Sequence, residues 1–287
     1  MAAEALVRAS SQTRTLARLK RNRITWFALG VIAVLLFTGL FGPALLVDSQ
    51  ANAISRQILE PPSATAWLGT DELGRSVLTQ MVYGVRTSLV VGLLAAVSAS
   101  LLGITIGAVS GFVGGRVDAL LMRVTEMFQV MPTFILASIV VAFAGTGLLK
   151  IIFIIAALAW PQVARVMRGE VLKTKQMEFA DAVRCLGHSE FRILCTEIVP
   201  NAIAPVITVG TLVIGQAILL ESSLAFFGLT SPDVASWGRL LTSGQRYFYH
   251  AWWLSVFPGI AILMTVLAFN LFGDALNAAL NPRSEDK

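Results

Sequence analysis

Long uncharged runs alternate with short charged ones along this chain. Five uncharged windows are long enough to cross a bilayer as helices, which takes about 20 mostly apolar residues. The remaining window, at 151–164, is shorter. Its apolar neighbours lengthen it, and the Lys150 side chain at its end can reach the membrane surface. The pattern predicts an all-α integral membrane protein with about six transmembrane helices. The windows are 24–47, 87–115, 127–149, 151–164, 198–220 and 247–273.

The first window follows a basic tail of residues 1–23. It is too long for the apolar core of a signal peptide, and no small-residue cleavage site accompanies it. We interpret it as an anchor helix, so that a cytoplasmic tail of residues 1–23 precedes a transmembrane domain of residues 24–287.

Composition excludes a soluble globular protein. Charged residues make up 14% of the chain, and the mean hydropathy is +0.74. A soluble domain carries roughly 25% charged residues. The chain therefore needs the lipid bilayer as its partner.

The distribution of basic residues predicts the orientation. Six spans place both termini on one side, and 16 of the 22 Lys and Arg residues fall on that side. Cytoplasmic loops carry the excess of Lys and Arg, so we expect both termini in the cytoplasm and the chain in the cytoplasmic (inner) membrane. Segments 48–86 and 226–250 are then external, and segment 165–200 is cytoplasmic. The net charge of +5 reflects this topology and not a nucleic-acid surface.

Motifs for covalent or metal chemistry are missing from the sequence. It has no G-x-x-x-x-G-K-[ST] phosphate loop, and neither His188 nor His250 has a second ligand at helical spacing. Cys185 and Cys195 fit no metal motif and lie in the predicted cytoplasmic segment, where thiols stay reduced. We expect no catalytic, metal or cofactor site, and no enzymatic activity, in this chain. ATP and magnesium would be used by partner subunits.

The windows hold almost no ionisable side chains in their centres. Glu221 and Asp274 lie at window ends. A stand-alone ion-coupled secondary carrier would favour a carboxylate or a broken helix at mid-membrane. Pro132 and Pro161 interrupt windows, and we interpret both as kinks relieved by neighbouring helices. A structural membrane protein, the other alternative, needs no kinked spans.

The cytoplasmic segment contains a predicted short helix at 177–186. Its apolar residues follow the helical spacing of i, i+3, i+4 and i+7, with a glycine suited to a left-handed C-cap after it. A second helix is expected at 189–199, stopped by Pro200. The apolar face either docks on a partner or packs on the protein's own span ends. It is formed by Phe179, Ala182, Val183 and Leu186.

This segment resembles the EAA loop of ATP-binding-cassette (ABC) importer permeases. That pattern has Glu-Ala-Ala, a Gly after three residues, and Ile-x-Leu-Pro after nine more. Here Asp181-Ala182-Val183 is followed at those spacings by Gly187 and Pro200. Asp replaces Glu, Val replaces the second Ala, and Glu-Ile-Val precedes the proline. These departures would affect how tightly the loop binds its partner and which partner it binds.

Further motifs extend the resemblance to the C-type permease subunit of dipeptide and oligopeptide (and nickel) importers. They occur in the family's order along nearly the whole chain. They lie at 67–78, 83–89, 111–118, 221–229, 237–238, 257–259, 270–277 and 281–282.

The resemblance implies a type I ABC importer permease fold and a transport function. The expected partners are a homologous B-type permease, two ATP-binding subunits or domains and an extracytoplasmic substrate-binding protein. By analogy Phe179, Asp181, Ala182, Arg184, Gly187 and Pro200 form the coupling surface for an ATPase. Di- or oligopeptides are the expected substrates, and nickel chelates, glutathione or haem are alternatives within the family.

Three external residues are candidates for a gate or for contact with the binding protein. Asp71 and Arg75 either meet that protein or satisfy each other within a folded loop. Glu221 either holds a gate or a substrate amine, or is a carboxylate at a helix end facing water. The substrate should meet small and polar residues in spans two to five, which the sequence does not rank.

Overall fold

The computed structural model describes residues 23–45, 57–231 and 234–280. These residues form helices joined by short loops, with one isolated antiparallel bridge between Thr70 and Ser76. The helices are α1 Arg23–Leu45, α2 Val77–Val113, α3 Gly115–Val130, α4 Thr133–Ala144, α5 Leu148–Thr174, α6 Glu178–Cys185, α7 Glu190–Phe226, α8 Trp237–Arg246 and α9 Trp253–Leu280. The tail at 1–22, the segment at 46–56 and the motif at 281–282 lie outside the described residues.

Five of these helices are long and apolar enough to cross a membrane: α1, α2, α5, α7 and α9. The bent pair of α3 and α4 passes the same test together, and counted as one span it brings the number to six. The predicted all-α membrane fold with about six spans is therefore confirmed. The shortest window, 151–164, lies within the 27 residues of α5.

Glycines let α2 and α5 pack side by side and parallel. A Cβ at Gly103 would meet Val163 and the Trp160 carbonyl, and one at Gly107 would meet the Ala164 carbonyl. The seam continues one turn further at Gly111. Small residues four apart permit such close backbone approach in membranes. Because the contacts advance together along both helices, the C-terminal ends of α2 and α5 lie at the same end of the bundle.

The remaining helices cover this pair. Helix α7 packs against α2, α5 and α9, and α1 lies against α2 and α9. Side chains of α1 such as Trp26 and Leu40 are exposed, which suits hydrocarbon. Helix α8 lies on the far end of α7, where Gly238 meets Ser222 and Ala225. The indole Nε1 of Trp237 donates to the Met81 carbonyl at 3.1 Å and ties α8 to α2.

The third predicted window, 127–149, is not one straight helix. Helices α3 and α4 meet at 88° across Met131 and Pro132. Met131 is extended, with ψ 133°, a conformation that proline favours in the residue before it. The interpretation of Pro132 as an ordinary kink is therefore wrong. Pro161, by contrast, lies inside the continuous helix α5 as expected.

The second helix of the 165–200 segment is longer than predicted. It begins at Glu190 after the N-cap Ser189, and it runs to Phe226 without stopping at Pro200. A π-helical turn at Leu194–Ile198 precedes the proline. Because a π turn shifts the backbone hydrogen bonds by one residue, the chain accommodates Pro200 here and continues as a helix.

The segment predicted at 48–86 also contains more helix than expected. Helix α2 begins at Val77 and, at about 1.5 Å per residue, its 37 residues extend well beyond a hydrocarbon core about 30 Å thick. The described part before α2 is residues 57–76, hereafter the 57–76 loop. It lies at the end of the bundle opposite to α6.

Candidate coupling surface and translocation groove

Helix α6 is anchored to the bundle by one face. Ala180 is fully buried, and Val183 packs against the main hydrophobic core. Gly187 follows the helix with φ 79°, the left-handed conformation that ends helices and that glycine adopts without strain. The predicted helix and its glycine cap are both present.

Exposed apolar side chains lie at the two ends of α6 and at the start of α7. Leu186 and Phe191 are each 76% exposed, and Met177 is 39% exposed. Ala182 is also exposed, whereas Phe179 is half-buried. The predicted apolar face therefore divides between the two alternatives: part packs on the protein itself, and part is open. We call residues 177–191 the α6 cap.

Arg184 forms ion pairs with residues in both helices of the α6 cap, α6 and the start of α7. The Arg184 guanidinium donates to Asp181 at 2.8 Å and lies 3.7 Å from the Glu190 carboxylate. Asp181 and Glu190 are mostly exposed. The pair with Asp181 lies within α6, and the contact with Glu190 joins α6 to the start of α7. Beyond them, the Asn201 amide donates to the Glu197 carbonyl at 2.6 Å, next to Pro200, which is itself exposed.

A further ion pair joins α5 to α3 and was not predicted from the sequence. Arg168 of α5 donates from Nε and Nη2 to both carboxylate oxygens of Asp118 on α3, at 2.5 and 2.6 Å. The Ser110 hydroxyl of α2 donates to the same carboxylate, and the Lys175 ammonium donates to the Gly111 carbonyl at 2.7 Å. Three helix ends are thus held together where α5 leads into α6.

A groove of about 640 Å³ opens between the α3–α4 bend, α5 and α7. Aromatic rings line it, among them Phe128, Phe134 and Phe227. Its polar groups are the amides of Gln129, Gln162 and Gln216 and the hydroxyls of Thr133 and Ser223, and no residue that lines it is charged. The signal was available: three of the uncharged windows each contain one glutamine.

Asp71 and Arg75 of the 57–76 loop pair with each other. The buried Asp71 carboxylate accepts from the Leu73 and Arg75 backbone N–H groups at 2.9 and 2.8 Å. It also pairs with the Arg75 guanidinium at 2.7 Å and accepts from the Gln80 amide at 2.5 Å. Asp71 and Arg75 were expected either to meet a binding protein or to pair with each other, and the structure shows that they pair with each other. Their contact with a binding protein stays a prediction.

Long-range hydrogen bonds attach this loop to the rest of the bundle. The Ser243 hydroxyl of α8 donates to Glu72 at 2.7 Å. The Trp253 indole of α9 donates to the Thr70 carbonyl at 3.2 Å. No pattern in the sequence links residues more than 170 positions apart.

Glu221 is buried near the end of α7, and only 2% of it is exposed. Ser222, Ser236, Thr87 and Thr230 surround it with hydroxyl groups. A carboxylate at a helix end facing water, the simpler alternative, does not fit this burial. Its role as a gate or substrate contact stays a prediction.

Comparison with known proteins identifies the family. A model described as the inner membrane component of binding-protein-dependent transport systems matches residues 103–286. The chain is 37% identical over 268 residues to the dipeptide transport system permease protein DppC of Bacillus subtilis (93% of this chain, 84% of that protein).

Two further relatives show similar coverage. The di/tripeptide transport system permease protein DppC of Pseudomonas aeruginosa is 35% identical over 257 residues, or 87% of this chain and 85% of that protein. The oligopeptide transport system permease protein OppC of Bacillus subtilis is 32% identical over 267 residues, or 93% and 88%. The multi-pass chain belongs to the family of inner membrane permease components of binding-protein-dependent ABC importers, as its resemblance predicted.

Proposed function

We propose that this chain forms half of a path for short peptides and couples it to cytoplasmic ATPases through the α6 cap. One observation carries the proposal: Leu186 and Phe191 are exposed where α6 leads into α7, and α6 itself is anchored to the bundle by Ala180 and Val183. An apolar surface of this kind marks a protein contact. Its fixed attachment to α5 and α7 allows a movement of the cap to reach the spans.

The direction of the charge bias supports the orientation. With the α6 cap on the cytoplasmic side, 16 of the 22 Lys and Arg residues lie there, as cytoplasmic loops require. Both termini are then cytoplasmic, and the 57–76 loop and α8 face the outside. The outer end is where an extracytoplasmic substrate-binding protein would deliver its ligand.

The expected partners are those that would complete the groove and supply the ATPase activity. The groove is open on one side, so a homologous B-type permease would complete the path. ATP and magnesium belong to two ATP-binding subunits or domains, and this chain catalyses nothing itself. Nucleotide binding would draw the two ATPases together and tilt the spans as rigid bodies. It drives the cycle only if ATP binds one of the two arrangements better.

Peptides are the substrate class that best fits the groove and the relatives. Those relatives are named as dipeptide, di/tripeptide and oligopeptide permeases. A groove of aromatic rings, amides and hydroxyls without charge suits a ligand with varied side chains. Uptake of nickel chelates, glutathione or haem in place of peptides would contradict this assignment.

The test uses the assembled importer purified through a tag on its partner permease. Leu186→Asp with Phe191→Asp should release the ATPase subunits, because a buried carboxylate at an apolar contact is costly. Val117→Asp is the matched control, since Val117 is also apolar and exposed, near the same end of the bundle. Equal ATPase recovery with the double variant and with Val117→Asp would refute the coupling assignment.

A further inference from the structure

Three glutamine amides of the groove come from three different spans. Gln129 lies at the end of α3 beside the bend, Gln162 lies in the middle of α5, and Gln216 lies on α7. Gln216 is ten residues from the end of its helix, which is about 15 Å at 1.5 Å per residue. That is roughly half of a 30 Å hydrocarbon core. Gln216 therefore lies deep in the membrane, and the other two amides line the same groove.

None of these three side chains donates or accepts a hydrogen bond within residues 23–45, 57–231 and 234–280. The buried Gln80, by contrast, donates to Asp71. An amide without a partner is costly at membrane depth. Gln216 is exposed on the surface of the bundle, so it must face a polar path and not lipid.

The chemistry of the amide indicates what it would bind. A carboxamide offers two N–H donors and one carbonyl acceptor. A peptide bond offers one donor and one acceptor and is the same for every peptide. We infer that Gln129, Gln162 and Gln216 form a transient binding site for the peptide backbone in the translocation groove.

This arrangement explains breadth of substrate without a selective pocket. The backbone bonds to the amides, while the side chains lie against Phe128, Phe134 and Phe227, whose rings accept varied apolar and cationic groups. A few neutral hydrogen bonds are weak enough for release. The volume of about 640 Å³ lies in the range of small-ligand pockets, about 300–1,000 Å³.

The inference rests on the proposed function, and its test separates the two. The complete importer with its binding protein is reconstituted in liposomes, and uptake of radiolabelled Ala-Ala, Phe-Ala and Lys-Ala is measured with ATPase activity. Methionine replaces glutamine at 129, 162 and 216, because it is of similar length and lacks the amide. Gln245→Met is the control, since Gln245 is exposed on α8 outside the groove.

Each lost hydrogen bond should lower uptake by about two- to tenfold, and the triple variant by tenfold or more. The loss should be equal for the three peptides, and stimulation of the ATPase by the loaded binding protein should persist, as should wild-type uptake by Gln245→Met. Wild-type uptake by the triple variant, or losses that differ strongly among the peptides, would refute the amide site alone. Failure of the unmodified importer to take up any peptide would refute the proposed function and the site together.

Discussion

The two ends of the bundle differ in how their side chains are satisfied: polar groups are hydrogen-bonded at one end, and apolar groups are exposed at the other. In the 57–76 loop the buried Asp71 carboxylate accepts hydrogen bonds from two backbone N–H groups, the Gln80 amide and the Arg75 guanidinium. In the α6 cap, Leu186 and Phe191 are left uncovered. The loop is held by polar bonds to other helices of the same chain, whereas the cap leaves apolar side chains for a partner to cover. Substitutions in the loop should therefore change stability, and those in the cap should change assembly.

The largest effect on stability is expected at Asp71. Asp71→Ala leaves the Arg75 guanidinium, the Gln80 amide and two backbone N–H groups without their acceptor. Removing one partner of a buried ion pair costs about 3–5 kcal/mol. Thermal unfolding of the solubilised protein should show this loss, and Asp71→Asn, which keeps an acceptor, should lose less. Unchanged stability with lost binding-protein contact would show that the loop is an interface instead.

A smaller loss is expected at the ion pair beside the cap. Arg168→Ala removes two charge-assisted hydrogen bonds to Asp118. Because the Arg168 side chain is 33% exposed, water screens the pair and the total loss should be about 1.5–3 kcal/mol. The exchanged pair, Asp118→Arg with Arg168→Asp, should recover part of the melting temperature. No recovery would mean that the Ser110 hydroxyl and the backbone, not the opposite charges, hold the three helix ends.

The bond between Ser243 and Glu72 tests whether the loop depends on α8. Ser243→Ala should lower the free energy of unfolding by about 0.5–1.5 kcal/mol, because the Glu72 carboxylate is partly buried and accepts from that hydroxyl at 2.7 Å. Glu72→Gln, which keeps an acceptor, is the control. A loss in Ser243→Ala as large as that in Asp71→Ala would mean that the loop does not fold by itself.

The smallest effect on stability is expected at Arg184. Its partners Asp181 and Glu190 are mostly exposed, and exposed ion pairs contribute about 0.2–1 kcal/mol. Arg184→Ala should therefore leave the unfolding temperature nearly unchanged while it weakens ATPase recovery, because the angle of α6 to α7 is loosened. A large drop in stability with full ATPase recovery would reverse the roles that we assign to cap and loop.

Local signals predicted the α6 cap well. The apolar spacing at 177–186 and the glycine after it gave helix Glu178–Cys185 and the left-handed Gly187, since a short helix and its cap depend on adjacent residues. Which side of α6 is buried and which is exposed was not predicted. Ala180 is buried and Leu186 is exposed because the packing of α6 on the bundle, and not its own periodicity, selects the inner side.

Features that depend on distant residues escaped prediction. The proline at 132 produces a sharp bend and the proline at 161 does not, although both interrupt apolar windows. The pairing of Asp118 with Arg168 joins residues 50 positions apart. That pairing follows from the packing of α2 against α5, which brings their C-terminal ends together. The groove glutamines were visible as polar residues in apolar windows, but only the fold brings them to one cavity.

Chemical labelling of Cys185 tests the central claim most directly. Cys185 is exposed on α6, and Cys195→Ser leaves it as the single thiol of the chain. A membrane-impermeant maleimide should label it in inside-out vesicles that lack the ATPase subunits and not in right-side-out vesicles. In inside-out vesicles of the complete importer, the docked ATPases should protect it. Equal labelling with and without the ATPases, or labelling from the outside, would contradict the account.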